Sequence, residues 1–230
     1  GLAARRTAGM MRPMSTVATQ ERLRFIDLAA FERTPLEADP FPYLIVPGFV
    51  PAAARSALSA DYPVVEQPGS FPVGDVTYGP AFGEFLAEIE GPDMRNAFAR
   101  KFGIDLTGRP TMVTVRGQAQ AKDGRIHTDS ATKIITVLVY MNEAWEAPGG
   151  RLRLLRSNTS LDDMVAEVPP AAGTLLAFLV TPHSWHGHHP TSGPRRVVQL
   201  NWVESDSVVR RERFRHGLSA RIKQLLPARR

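Results

Sequence analysis

Apolar positions along the chain fall into two textures. From about Gln20 to Leu106 they recur mainly at helical spacing, and from Thr111 onward they gather in short β-rich runs separated by Gly, Pro, Asn and Asp. Leu86, Ile89, Met94, Phe98 and Phe102 lie at roughly helix-like intervals, so the stretch from about Phe82 to Phe102 is expected to be helical and to pack against a sheet. Tyr43 to Val46 reads as a strand, and Pro51-Ala52-Ala53-Ala54 opens a helix at its first turn. The second half predicts about six strands: Thr111 to Arg116, Gly124 to Thr128, Lys133 to Met141, Arg151 to Leu155, Thr174 to Leu179 and Arg196 to Val203. Pro148-Gly149-Gly150, Ala172-Gly173 and Asp123-Gly124 supply turns where the backbone reverses. This is the pattern of an antiparallel sandwich or barrel. After Val203 a further helix is expected, with Phe214, Leu218, Ile222 and Leu225 on one stripe. That stripe suits packing on the domain or on a twin subunit, in which case the oligomer is a homodimer.

Length and composition narrow the reading. The 230 residues, 43% of them hydrophobic, can bury a full core and suit one domain rather than two. The expected organisation is a basic, disordered leader over 1–19, one domain over 20–207 with its β core at about 111–203, and a basic helical tail over 208–230. The absence of cysteine excludes a disulfide framework, a zinc ribbon, an iron–sulfur cluster and a thiol nucleophile, so any metal must be held by histidine and carboxylate. The formal charge of +5 is concentrated at the ends. Residues 1–14 contribute +3 and residues 208–230 contribute +7, which leaves 15–207 at −5. An acidic body without aromatic residues among its basic runs makes a poor nucleic-acid platform. No window is long and apolar enough to cross a bilayer. A cytoplasmic location is expected, with organelle targeting by the Arg-rich leader as the alternative.

Candidate chemistry begins at Arg125-Ile126-His127-Thr128-Asp129, where His127 and Asp129 are two apart and share one face of the predicted strand. An imidazole and a carboxylate so placed can converge on one ion. A second histidine is available in His183-Ser184-Trp185-His186-Gly187-His188-His189, after the apolar strand. Two histidines and one carboxylate leave positions open for substrates on a ferrous ion. Zinc with a bound water, as in a hydrolase, is the rival on spacing alone. A basic residue then follows at Gly193-Pro194-Arg195-Arg196. On the strand Arg196 to Trp202, the positions Arg196, Val198, Leu200 and Trp202 share a face, so Arg196 is expected to point into an apolar interior and to need an anion there. Arg195 is expected to meet solvent.

Taken in order, these pieces resemble a known family, the prolyl 4-hydroxylase-like branch of the Fe(II)/2-oxoglutarate dioxygenases. They are His127-Thr-Asp129, the strand ending Tyr140-Met-Asn142, Gly149-Gly150-Arg-Leu152, Ala172-Gly173 before an apolar strand, His186-Gly-His-His-Pro190, and Gly193-Pro-Arg-Arg196 running to Trp202. The resemblance implies a mainly β double-stranded β-helix, a cupin-like jelly-roll, with N-terminal helices and a C-terminal helix flanking it. It implies His127, Asp129 and His186 as ligands of Fe(II), with His188 the first substitute for the distal ligand. It also implies Arg196 as partner of the 2-oxoglutarate 5-carboxylate, and Tyr140, Thr136 and Leu152 around that cosubstrate. The activity implied is hydroxylation with O2, releasing succinate and CO2, of an amino acid, a peptide or protein side chain, or a small metabolite. The chain departs from the pattern at Arg116, where members acting on proline peptides often place an aromatic residue. Arg116, and with it Arg125, therefore suggests an anionic group on the substrate. A zinc-type hydrolase and a non-catalytic jelly-roll binding protein are the alternatives.

Overall fold

The computed structural model describes residues 23–212. Four α-helices lie in the first half, as the spacing predicts. They are α1 (Leu28–Arg33), α2 (Ala52–Asp61), α3 (Pro80–Glu90) and α4 (Pro92–Phe102). The stretch read as helical from Phe82 to Phe102 is two helices. Gly91-Pro92 divides it, because proline lacks the N–H that a continuous helix needs and instead suits the first turn of the next. Helix α4 ends on Gly103, whose φ of 65° is the left-handed cap that glycine adopts without strain.

Nine strands follow the chain: β1 (Tyr43–Val46), β2 (Phe71–Pro72), β3 (Thr111–Ala119), β4 (Lys133–Tyr140), β5 (Leu152–Leu155), β6 (Met164–Val168), β7 (Leu175–Leu179), β8 (His186–Gly187) and β9 (Gly193–Val203). A six-stranded sheet runs β1-β7-β4-β9-β3-β2, and a three-stranded sheet runs β6-β5-β8; both are antiparallel. The predicted strand from Gly124 to Thr128 is reduced to a single bridge, His127 to His186, which adds a rudimentary fourth strand to the smaller sheet. The two sheets face each other as a double-stranded β-helix. Two strands of this half escaped the sequence reading. β8 is only two residues long, and β6 follows Leu161-Asp162-Asp163 with a mostly half-exposed pattern that lacks a clean apolar face.

The larger sheet is buried on both faces, and this decides where the site lies. One face carries Val113, Val115, Ile135, Val137, Val139, Leu175, Ala177, Val198, Leu200 and Trp202, which pack against Phe82, Phe85, Phe98 and the other apolar residues of the helices. Phe98 meets Trp202 with ring centroids 4.8 Å apart. The other face looks toward the smaller sheet, and there Tyr43, Tyr140, Leu176, Phe178 and Val197 join Leu152, Leu154 and Val168. Consecutive residues of one strand therefore enter two different interiors.

Residues 206–212 are helical. The stripe expected from Phe214 to Leu225, the leader over 1–19 and most of the basic tail lie outside the described residues. No helix among the described residues is long and apolar enough to cross a membrane.

Candidate active site

Between the sheets lies a cavity of about 140 Å³, lined by residues that include His127, Asp129, Thr136, Leu152, His186, Arg116 and Arg195. His186 is fixed from both sides: β5 pairs Leu154 with it, and His127 exchanges both backbone hydrogen bonds with it, each at 3.0 Å. The bridge sets the two imidazoles side by side, with ring centroids 4.3 Å apart, and Phe178 supports His186 at 4.8 Å. One ligand atom each from His127, Asp129 and His186 falls within 4.8 Å of the others. In both histidines Nδ1 is turned to a backbone carbonyl two residues earlier, Arg125 O at 2.8 Å and Ser184 O at 2.9 Å. If each Nδ1 carries the proton, each Nε2 keeps its lone pair for a metal. Burial lowers the pKa of His186 to about 4, with His127 and Lys133 adding to the effect against the opposing pull of Asp129 and Ser184, so its ring is neutral at pH 7.

The carboxylate is held as firmly as the rings. Thr136 Oγ1 donates to Asp129 Oδ2, and Lys133 Nζ stands 3.1 Å from Oδ1. Thr136 Oγ1 in turn accepts from Asn201 Nδ2 at 2.8 Å, and Asn201 Oδ1 accepts from Gln199 Nε2 at 3.0 Å. Burial opposes ionisation of Asp129, but Lys133, His186 and the Thr136 hydroxyl together outweigh it and keep the carboxyl below its ordinary range. Thr136, expected beside the cosubstrate, does line the cavity, with its hydroxyl engaged by Asp129. Leu152 lines the cavity too.

The two arginines exchange places relative to the expectation. Arg196 does share a face with Val198, Leu200 and Trp202, but that face belongs to the helix side. Its guanidinium reaches Ser59 Oγ at 3.1 Å and lies 5.2 Å from the Tyr62 ring centroid. Arg195, expected in solvent, is the inward residue at 6% exposure, and its Nε donates to Gly150 O at 3.1 Å. Strand alternation accounts for both directions, and a bulge in the neighbouring strand lies beside them. Arg116 pairs with Val197 and Gln118 with Pro194, so Gly117 stands opposite both Arg195 and Arg196 in a β-bulge. A Cβ on Gly117 would lie 2.3 Å from Val65 O, so only glycine fits there. Asn142 secures the bulge by accepting from Arg196 N–H at 2.7 Å and donating to Arg196 O at 3.1 Å.

Arg195 lies 5.7 Å from the Tyr140 ring centroid. The Tyr140 hydroxyl is fully buried, with Arg195 beside it and no acceptor for its own proton among the described residues. No carboxylate forms an ion pair with Arg195 among the described residues. A buried guanidinium next to a hydroxyl with an unused proton is a donor set for a carboxylate.

His188 also lines the cavity, but its Nδ1 contacts His189 O at 2.8 Å and it stands outside the ligand cluster. His183 and His189 are exposed, the latter 3.8 Å from Asp162. Arg125 is exposed and does not line the cavity. Arg116 does, near Asp123. The reading of the sequence missed Arg195, Asn142, Lys133, Asp123 and Asn201. The alternation Arg195, Val197, Gln199, Asn201 was the available signal, since a strand face that mixes polar with apolar residues is the one that meets a site.

Residues 116–204 match the family described as the 2OG-Fe(II) oxygenase superfamily. That stretch holds His127, Asp129 and His186 as well as Arg195 and Tyr140. The family implies Fe(II), 2-oxoglutarate and O2, and the His127, Asp129 and His186 cluster fits an iron site. The chain shares its fold with a Pseudomonas putida prolyl-4-hydroxylase at 20% identity, with a TM-score of 0.50 over 71% of this chain and 92% of that one. A 2OG-Fe(II) oxygenase family oxidoreductase from Burkholderia pseudomallei is similar at 13% identity and TM-score 0.50, over 79% and 93% of the two chains. A Trichoplax adhaerens prolyl hydroxylase, solved with a hypoxia inducible factor peptide fragment, is similar at 17% identity and TM-score 0.50, over 74% and 85%. At these identities the likeness concerns the fold. The chain has no match among curated proteins.

Proposed function

We propose that this chain is a 2OG-Fe(II) oxygenase, a hydroxylase in which His127, Asp129 and His186 hold Fe(II) and Arg195 with Tyr140 holds the 5-carboxylate of 2-oxoglutarate. The observation that carries the reading is the buried Arg195, which has a backbone carbonyl but no counterion among the described residues, beside the unused Tyr140 proton in the cavity that the metal cluster lines. A buried charge without an anion is costly, and a bidentate carboxylate removes that cost. Three protein ligands leave open coordination positions on the metal. When bound, iron and 2-oxoglutarate supply the oxidation: O2 is split, one atom entering succinate as CO2 leaves and the other entering a substrate C–H bond as hydroxyl.

The protein's part is placement. The His127 to His186 bridge fixes the angle between the imidazoles, and Thr136 and Lys133 fix the carboxylate. Arg195 and Tyr140 orient the cosubstrate, while Leu138, Leu152 and Val197 line the cavity with apolar surface that limits water. None of these residues needs to act as a nucleophile.

The test is succinate formation by the purified chain with Fe(II), 2-oxoglutarate and O2, beside His127→Ala. Iron-dependent succinate from the native chain and its loss in the variant are expected. Equal succinate from both proteins would remove His127 from the metal site, and none from the native chain would contradict the hydroxylase reading.

A further inference from the structure

Arg116 stands on β3 opposite Val197, on the cavity face, with its side chain 33% exposed. Arg195, on the neighbouring strand, is almost completely buried. The two guanidiniums therefore sit at different depths, Arg195 at the base and Arg116 at the rim. Arg116 is oriented by Ser70 and paired with Asp123, yet it keeps donors to spare. Its Nε donates to Ser70 Oγ at 2.9 Å, while Nη1 lies 3.5 Å from Asp123 Oδ2, an oxygen that already accepts the Gln120 N–H at 3.2 Å. The remaining guanidinium hydrogens have no acceptor among the described residues.

The charges of the site point the same way. Arg116, Arg195 and Lys133 are cationic and Asp123 and Asp129 anionic. Fe(II) and the 2-oxoglutarate dianion cancel each other, so one positive charge remains after both are bound. Burial, together with the like charge of Arg195, also disfavours the Arg116 cation despite the pull of Asp123. An anion at the rim relieves all of these at once. With 2-oxoglutarate at the Arg195 end, the part of the cavity left for the substrate lies on the Arg116 side.

We propose that the substrate carries a carboxylate that is received by Arg116 at the cavity rim. The inference rests on the oxygenase reading above for the cosubstrate that fills the base. A free acid and an acidic side chain of a peptide offer the same chemistry, and the arms of the experiment separate them.

The experiment is calorimetric titration of the full chain, loaded with Mn(II) and 2-oxoglutarate so that no turnover occurs. The probes are a panel of free L-amino acids and short-chain carboxylic acids, each beside its primary amide, and an end-blocked peptide carrying glutamate. At least one acid should bind roughly 30-fold more tightly than its amide, the worth of a charge-assisted hydrogen-bonded pair. Arg116→Leu should remove that preference and Arg116→Lys should keep part of it, with 2-oxoglutarate affinity moving less than about 3-fold in either. Acids and amides binding alike, or failure of every acid and of the peptide to bind, would overturn the proposal, while binding by the peptide alone would support it with an acidic side chain as the source of the carboxylate. So would an Arg116→Leu loss of 2-oxoglutarate as large as the loss of the acid, which would assign Arg116 to the cosubstrate. If the metal-loaded chain binds no 2-oxoglutarate yet Arg116 still separates acid from amide, the oxygenase reading fails and the carboxylate site stands.

Discussion

Asp129 has both oxygens engaged, one by the Thr136 hydroxyl and the other by the Lys133 ammonium. Groups behind a metal ligand fix its direction, and their loss typically weakens metal affinity by about 10–100-fold. Thr136→Val keeps the shape of the side chain and removes the donor. We expect a loss of Mn(II) affinity in that range by calorimetry, with a circular dichroism spectrum like the native one; unchanged affinity would show that Lys133 alone suffices. Much of this chemistry was legible in the chain. His127 and Asp129 two residues apart, with a histidine cluster after an apolar strand, pointed to the grouping that the structure forms. Which arginine enters the cavity differs from the expectation for a physical reason. The parity argument placed Arg196 with Val198, Leu200 and Trp202 correctly, but assumed that the strand has one interior. It has two, and the more apolar one packs on helices.

At the scale of elements, the site depends on segments too short or irregular to announce themselves. The segment bearing His127 forms one bridge instead of a strand, and β8 spans only His186–Gly187. Gly124 holds the approach to them: its φ is +87°, and a Cβ there would lie 2.3 Å from His188 Nδ1. Gly108, with φ +66°, has nothing within 4 Å of the same position. The pair separates backbone strain from crowding. Gly108→Ala should cost about 1–2 kcal/mol for the left-handed conformation alone. Gly124→Ala should cost a further 1–3 kcal/mol or so from overpacking against His188. Denaturant midpoints with equal m-values check this, and equal costs would mean that His188 moves aside freely. The break at Gly91-Pro92 was readable in principle, since the dipeptide is a stop and a start together. β6 carried no such mark.

For the whole molecule, the division into a helical half and a β half followed from the change of hydrophobic period near Thr111. The jelly-roll came from the order of motifs, because spacing alone allows other sandwiches. The buried histidines give the fold a pH dependence. Burial, with His127 and Lys133 adding to it and Asp129 and Ser184 opposing, depresses His186 to about 4, and burial lowers His188 as well. Each is depressed in the folded state, so the unfolded chain binds more protons between the ordinary histidine value and the folded one. Stability of the metal-free protein must then fall as pH falls through that window. Between pH 7 and pH 5 His186 should contribute a loss of about 2 kcal/mol, visible in urea midpoints, and His186→Gln should flatten the profile. A native profile that is already flat would show the ring to be solvated.

The central claim is that one cavity presents a metal cluster and, at its base, Arg195 with Tyr140 for the far carboxylate of 2-oxoglutarate. Anaerobic titration of 2-oxoglutarate into the Fe(II)-loaded chain, beside Arg195→Leu and Arg196→Leu, tests it most directly. The native chain and Arg196→Leu should bind within about 3-fold of each other, and Arg195→Leu should bind at least tenfold more weakly, the loss of a charge-assisted pair. Weakening in Arg196→Leu with Arg195→Leu unaffected would contradict the account and return the cosubstrate to the other face of the strand.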